Sequence, residues 1–338
     1  MASSSQTLAP PPAAEQDNEL GIELSAVILA VTGDDPKVLA IRHGGEREGE
    51  GRQPDAREAL PSGPLERGHR TLEIGLRSWV ERQTLQHLGY VEQLYTFGDR
   101  ARGEDGRRSL SLAYLALVRE ARPAGDADAR WQSWYRYFPW EDWRDGRPAV
   151  LDTLLHGLRA WAAAAEQRLA DIRADRITLC FGGPQGAGWN EERVLERYEL
   201  LYEAGLVPEA LRERDPDRGP PPVAPPAAGI EMTADHRRML ALAIARLRGK
   251  IKYRPVVFEL MPPSFTLLQL QRTVEALSGV RLHKGNFRRL IEQQRLVEET
   301  GEATAETGGR PARLVRFRRE VLLERPAPGV RLPSGGRR

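Results

Sequence analysis

Residues 60–85 read LPSGPLERGHRTLEIGLRSWVERQTL, and the front of the chain is interpreted outward from this stretch. A loop holding Pro and Gly runs into an amphipathic helix expected to start near Thr71. A helix N-terminus that follows such a loop offers free N–H groups to phosphate oxygens. Side chains three or four positions apart share a helix face, so Ser78, Glu81 and Arg82 form one polar surface here. Magnesium wants several oxygen ligands in octahedral geometry, and one carboxylate beside a guanidinium is a poor site for it. The stretch therefore reads as a place that can hold phosphate oxygens but not magnesium. Gly63, Arg77 and Glu81 are the candidate ligand residues, with Arg42 from an upstream strand. The competing reading of Arg77 is an ordinary salt bridge with Glu81.

The spacing resembles the Nudix signature, G-x5-E-x7-R-E-U-x-E-E-x-G-U, where U is a bulky aliphatic residue. With Gly63 on the first Gly, Arg77 falls on the Arg without a gap. His69 stands where the first Glu belongs, Ser78 and Arg82 replace two of the clustered Glu, and Thr84 replaces the later Gly. Only Glu81 remains. The resemblance implies a Nudix-like frame with most of its cation-holding acids gone, so no catalytic residue, metal or cofactor is expected. An active hydrolase would have to recruit carboxylates from elsewhere, with Glu66 and Glu73 the nearest.

Composition bounds the rest. The chain has 338 residues and 40% hydrophobic content, enough for two packed units. It has no apolar run of membrane-spanning length, and the N-terminal MASSSQTLAPPPAAEQDNE reads as a disordered tail, not a signal peptide. Cys180 is the single cysteine, which excludes an intrachain disulfide and suits a reducing cytoplasm. The formal charge of +2 is unevenly spread: residues 230–325 hold 19 Lys and Arg against 11 Asp and Glu, which leaves the front acidic. A basic back half points toward nucleic acid.

Along the chain, Leu24–Val31 and Lys37–Arg42 read as a β-hairpin around a GDDP turn, and residues 44–57 as a loop. Tyr90–Phe97 and Ser109–Val118 read as strands. WQSWYRYFPWEDW, Trp131–Trp143, is read either as core or dimer surface, or as a wall stacking an adenine ring. Ala149–Ala174 reads as one amphipathic helix, Ile177–Trp189 as a strand and Gly loop, and Asn190–Ala204 as a helix. A Pro-rich linker at residues 213–229 marks the expected domain boundary. The domains are then a tail (1–20), a sensing unit (21–212, with an extra segment near 173–212), the linker, a basic module (230–325) and a flexible basic tail (326–338).

In the basic module, Thr233 is expected to cap a first helix, and Thr266 and Gln269 to form a capping box for a second. Gly279 sits where that helix should stop, and His283 is placed to cap a third. Phe287, Leu290 and Ile291 face inward there, while Lys284, Asn286, Arg288, Arg289 and Gln293 face out. Two strands follow, near Leu296–Glu299 and Arg313–Phe317. Three helices and a hairpin make a winged helix-turn-helix, in which the last helix enters the major groove. Asn286 suits adenine and Arg288 or Arg289 guanine, while Arg310, Arg313 and Arg316 on the wing suit phosphates or the minor groove. A winged helix that binds protein instead is the alternative.

FELMPPSFTLLQLQRTVEALSGVRLHKGNFRRLIEQQRLVEETGE, followed by GRPARLVRF, resembles the Nudix-related transcriptional regulators of NAD metabolism, the NrtR type. LPSG, the helix around Arg77 and Glu81, and YFPWEDW carry the likeness in the front domain. The resemblance implies an α+β architecture: a Nudix-like α/β/α sandwich followed by a winged helix. It also implies a homodimer that binds an operator in double-stranded DNA, often as a repressor, and that responds to ADP-ribose or a relative.

Overall fold

The computed structural model describes residues 21–42, 57–98, 109–119, 129–183, 188–213, 228–305 and 311–330. The expected tail at 1–20, most of the 44–57 loop, nearly all of the Pro-rich linker, and Arg310 lie outside the described residues.

Strand β1 (Gly21–Thr32) and strand β2 (Asp35–Arg42) form the expected hairpin. Gly33 takes φ 62° at the first turn position, which a tight hairpin turn requires. Next come β3 (Glu58–Ala59), β4 (Ser62–Pro64), helix α1 (Leu72–Thr84), β5 (Tyr90–Phe97), β6 (Ser109–Leu117) and β7 (Ala129–Ser133). The sheet order is β3-β2-β1-β6-β5, with β4 also pairing β1 and β7 pairing β2. Among the described strand pairs only β1 and β6 run parallel, from Gly21↔Ser109 to Leu29↔Leu117.

Alternation along β1 divides the core in two. Leu24, Ala26 and Ile28 pack with Leu76 and Val80 of α1 on one face. Val27 and Leu29 face a larger apolar layer on the other. That layer receives α2 (Val150–Ala163), α3 (Gln167–Phe181), α4 (Val194–Glu203), α5 (Pro208–Arg212) and α6 (His236–Tyr253). Helix α6, read from the sequence as the first helix of the basic module, lies against β1, β5, β6 and α4. The winged helix follows with α7 (Leu267–Ser278), α8 (Lys284–Gln294), β8 (Val297–Thr304), β9 (Ala312–Phe317) and α9 (Val321–Glu324).

Several expectations are corrected here. The single helix expected over 149–174 is two, broken at residues 164–166. The strand expected from Ile177 is the end of α3, whose Ile177, Cys180 and Phe181 are buried. Those three sit at i, i+3 and i+4, so a helical face was present beneath an apparent β-branched run. Asn190–Ala204 enters its helix only at Val194. Thr233 does not cap α6: Asp235 holds the N-cap position, and its side chain makes no capping bond to the helix. The tail from 326 is packed as far as 330, since Val330 is buried and its N–H donates to Ile251 O at 2.8 Å.

The chain also returns on itself. Ile230 N donates to Arg136 O at 3.1 Å, and Arg237 Nε to Tyr137 O at 3.1 Å. Helices α2–α5 are thus a detour that leaves after the aromatic segment and comes back beside it.

Candidate ligand site and nucleic-acid interface

Helix α1 starts where expected, with Thr71 Oγ1 accepting from Ile74 N at 3.2 Å. Strand β4 is strapped to it: Trp79 Nε1 donates to Pro64 O at 2.8 Å, and Gln83 Nε2 to Ser62 O at 2.9 Å. Gly63 lies directly beneath the Trp79 indole, where a Cβ would fall inside the ring. Its missing side chain makes room for Trp79. Gly63→Ala is therefore expected to cost about 1–3 kcal/mol through overpacking, measured as a drop in thermal midpoint. An unchanged midpoint would show that the indole moves aside freely.

Arg77 pairs with Glu73, not with Glu81, through Nη2–Oε1 at 2.7 Å and Nε–Oε1 at 2.9 Å. It also donates to the carbonyls of Leu88 and Gly89, pinning the connection between α1 and β5. Glu81 is exposed, with its Oε1 3.4 Å from His87 Nδ1. Glu66 lies 3.5 Å from Arg82 Nη2 and 3.7 Å from His69 Nε2. Arg82 in turn stacks over Trp79 at 3.9 Å. Among the described residues no group of three or more His, Cys, Asp or Glu is placed to hold a metal ion.

The structure does not gather the four expected ligand residues. Arg42 ends β2 and lies 3.7 Å from Glu58, which also accepts from Tyr137 Oη and Gln132 Nε2. Strand alternation puts Arg42 on the face opposite Leu39 and Ile41, which belong to the α1 layer. Arg42 and α1 are therefore separated by the sheet. Tyr114 of β6, which the sequence reading passed over, belongs to the α1 layer. Burial, then the Glu73 charge, push its phenol up.

The aromatic segment is core. Trp134, Tyr137, Phe138 and Trp140 are fully buried, so the adenine-wall reading fails for those rings. They enclose ionised groups that are invisible in sequence. Glu141 pairs with both Arg197 and Arg248, and Glu209 pairs with Arg237. Burial pulls the Arg248 guanidinium down, but the adjacent Glu141 carboxylate and Tyr135 together outweigh it and hold the group above its ordinary value.

The helix-turn-helix is built as its caps predict. Thr266 and Gln269 form both halves of a capping box, Gly279 closes α7 at φ 74°, and His283 Nδ1 accepts from Asn286 N. Phe287 and Ile291 anchor α8, Leu290 is half-buried, and Lys284, Asn286, Arg288 and Arg289 are exposed. Asn286 Oδ1 accepts from Arg289 Nη2 at 3.0 Å. The wing is tied to the start of α7 by an isolated antiparallel bridge, in which Phe265 and Val315 exchange N–H···O bonds of 2.9 and 2.8 Å. Wing residues Arg313 and Arg316 are already paired, with Glu299 at 2.7 Å and Glu298 at 2.6 Å.

A mixed sheet with a loop-helix on one face, followed by a capped helix-turn-helix and wing, defines a class of fold: a Nudix-like domain joined to a winged helix. Residues 257–317 match the family described as the NrtR DNA-binding winged helix domain. That match covers 61 of the 338 residues and is confined to the winged helix. Over 91 residues, 27% of its length, the chain is 41% identical to the ADPR responsive transcriptional repressor NtrR of Acinetobacter baylyi. That match spans 36% of the relative's length. The crystal structure of Shewanella oneidensis NrtR complexed with a 27mer DNA has a TM-score of 0.52 and 19% identity, covering 89% of this chain and 94% of that one. A MutT/nudix family protein from Enterococcus faecalis has a TM-score of 0.50 and 16% identity, covering 92% and 90%. At those identities the likeness is one of fold. No helix among the described residues is long and apolar enough to cross a membrane.

Proposed function

We propose that this protein is a homodimeric, ligand-responsive DNA-binding transcriptional regulator, acting as a repressor, whose Nudix-fold domain senses ADP-ribose or a related NAD-derived nucleotide without hydrolysing it. One observation carries this reading. Within the unit that matches a DNA-binding family, α8 buries Phe287 and Ile291 and turns Lys284, Asn286, Arg288 and Arg289 to solvent. That is the side-chain division needed by a helix lying in the major groove. The relative named for its response to ADPR supports the choice of effector. The acids near α1 support the lack of hydrolysis: Glu66, Glu73 and Glu81 each face an Arg or His partner instead of converging on one point.

In this reading two copies present their α8 helices to two half-sites. The effector must favour one arrangement of the dimer over the other, or it shifts nothing. A full switch needs about 5.5 kcal/mol of differential affinity.

The test is fluorescence anisotropy on a duplex selected by the protein from a random library. Affinity should fall steeply with salt, because each neutralised phosphate contributes a slope of about −0.9 to log K against log salt. ADP-ribose should change the affinity. Magnesium-dependent hydrolysis of ADP-ribose that Glu81→Gln abolishes would overturn the non-hydrolytic reading, and a salt-insensitive winged helix would point to a protein partner.

A further inference from the structure

One carboxylate lies where three parts of the fold meet. Glu141 comes from the aromatic segment of the sheet domain, and its side chain is fully buried. Its Oε1 accepts from Arg197 Nε at 2.6 Å and its Oε2 from Arg197 Nη2 at 2.9 Å. The same Oε2 accepts from Arg248 Nη1 at 2.6 Å. Arg197 belongs to α4 of the detour and Arg248 to α6, and both side chains are fully buried.

The cluster reaches the helix-turn-helix through the end of α7. Arg248 Nε donates to Leu277 O at 2.8 Å. Tyr135 Oη donates to Ala276 O at 2.7 Å, and Trp143 N to Gly279 O at 2.7 Å. A Cβ on Gly279 would overlap the Glu141 carbonyl oxygen, so α7 ends in direct contact with the segment that carries the carboxylate. The carbonyls left over at the end of a helix need partners. Here the sheet domain and α6 supply them.

We propose that Glu141 is the positioning residue that fixes the helix-turn-helix on the sheet domain, with Arg197 of the detour as its second clamp. A buried ion pair adds little net stability over apolar side chains of similar volume, but losing one partner is costly. Such a cluster therefore tolerates few geometries. A shift of the aromatic segment must carry α7 with it, and α7 in turn sets α8. For its consequence, this proposal rests on the regulator reading above: Glu141 transmits effector binding to the DNA-reading helix.

The experiment uses the full chain in a Cys180→Ser background, with spin labels at Ile74→Cys on α1 and Gln293→Cys on α8, both exposed positions. Arg197→Met leaves the Glu141–Arg248 pair intact. Gly279→Ala pushes α7 away from Glu141. Pulsed EPR without DNA should show a shifted or broadened distance distribution in both variants, and the parent distribution in the exposed-pair control Glu203→Ala. Folding is checked by thermal unfolding, and Gly279→Ala alone decides if Arg197→Met does not fold. Folded variants with the parent distribution would overturn the proposal.

A second readout separates coupling from stability and uses unlabelled protein. The ratio of DNA affinities with and without ADP-ribose should fall at least five-fold toward one in the variants. Their affinity for ADP-ribose should stay within two-fold. An unchanged ratio refutes the transmission role. A wild type that binds neither probe refutes the regulator reading, and the EPR result still decides on Glu141.

Discussion

Glu209→Ala is expected to destabilise the protein by about 3–5 kcal/mol, the usual loss when one half of a buried ion pair is removed. Arg237, at the start of α6, is fully buried, with Nη1 3.0 Å from Glu209 Oε2. Its other donors go to the carbonyls of Tyr137 and Ala228, which carry no formal charge. The rings of Phe138, Trp140 and Tyr198 stand 5.4–5.6 Å from the guanidinium and cannot replace a carboxylate. Glu209 also accepts from Met232 N at 3.1 Å, so a buried N–H loses its partner as well. The comparison is Glu203→Ala, which breaks a 2.6 Å pair with Arg176 in which both side chains are nearly half exposed. Exposed pairs are worth up to about 1 kcal/mol. Thermal midpoints of the two variants measure the difference. Equal losses would mean that water reaches Arg237.

The double variant Arg288→Ala/Arg289→Ala should abolish most sequence-specific DNA binding. A side chain that reads a base is worth roughly 1–3 kcal/mol, so removing two costs about 2–6 kcal/mol if they act independently. Both residues are exposed on α8, and Asn286 holds the Arg289 guanidinium at 3.0 Å, which limits the freedom it loses on binding. Arg316→Ala provides the contrast. Arg316 is already paired with Glu298, so it must give up a 2.6 Å contact to reach a phosphate, and its loss should cost less than about 1 kcal/mol. Anisotropy titrations on matched and scrambled duplexes would measure both. A larger loss from Arg316→Ala than from the double variant would place the principal contact on the wing. Of the three wing arginines expected to meet DNA, Arg313 and Arg316 are engaged with glutamates in the free protein, and Arg310 lies outside the described residues.

Local elements were legible because their causes are local. The Gly33 turn, the Thr71 cap, the capping box of Thr266 and Gln269, the stop at Gly279 and the His283 cap each depend on bonds spanning a few residues. The same holds for the inward pair Phe287 and Ile291, set by helical period alone. Short apolar runs were less legible. ITLCF suits a strand or a helix end equally, and only packing of Ile177, Cys180 and Phe181 into the core decides between them.

The candidate ligand site shows the limit most clearly. Motif spacing placed Gly63, Arg77 and Glu81 on one loop-helix, and the structure keeps them there. It could not show that Gly63 lies under Trp79, that Arg77 chooses Glu73 one turn earlier, or that the sheet separates Arg42 from α1. By itself, the sequence determined the β1–β2 hairpin, β5, β6, the capped helices α1, α7 and α8 and the division between a loop-helix unit and a winged helix, because those follow from periods and caps a few residues long. The tertiary structure alone decided how the two halves are joined. The joining groups are charges buried between residues 28, 56 and 107 positions apart, and such pairs are chosen by desolvation and packing, which leave no local signature in the chain.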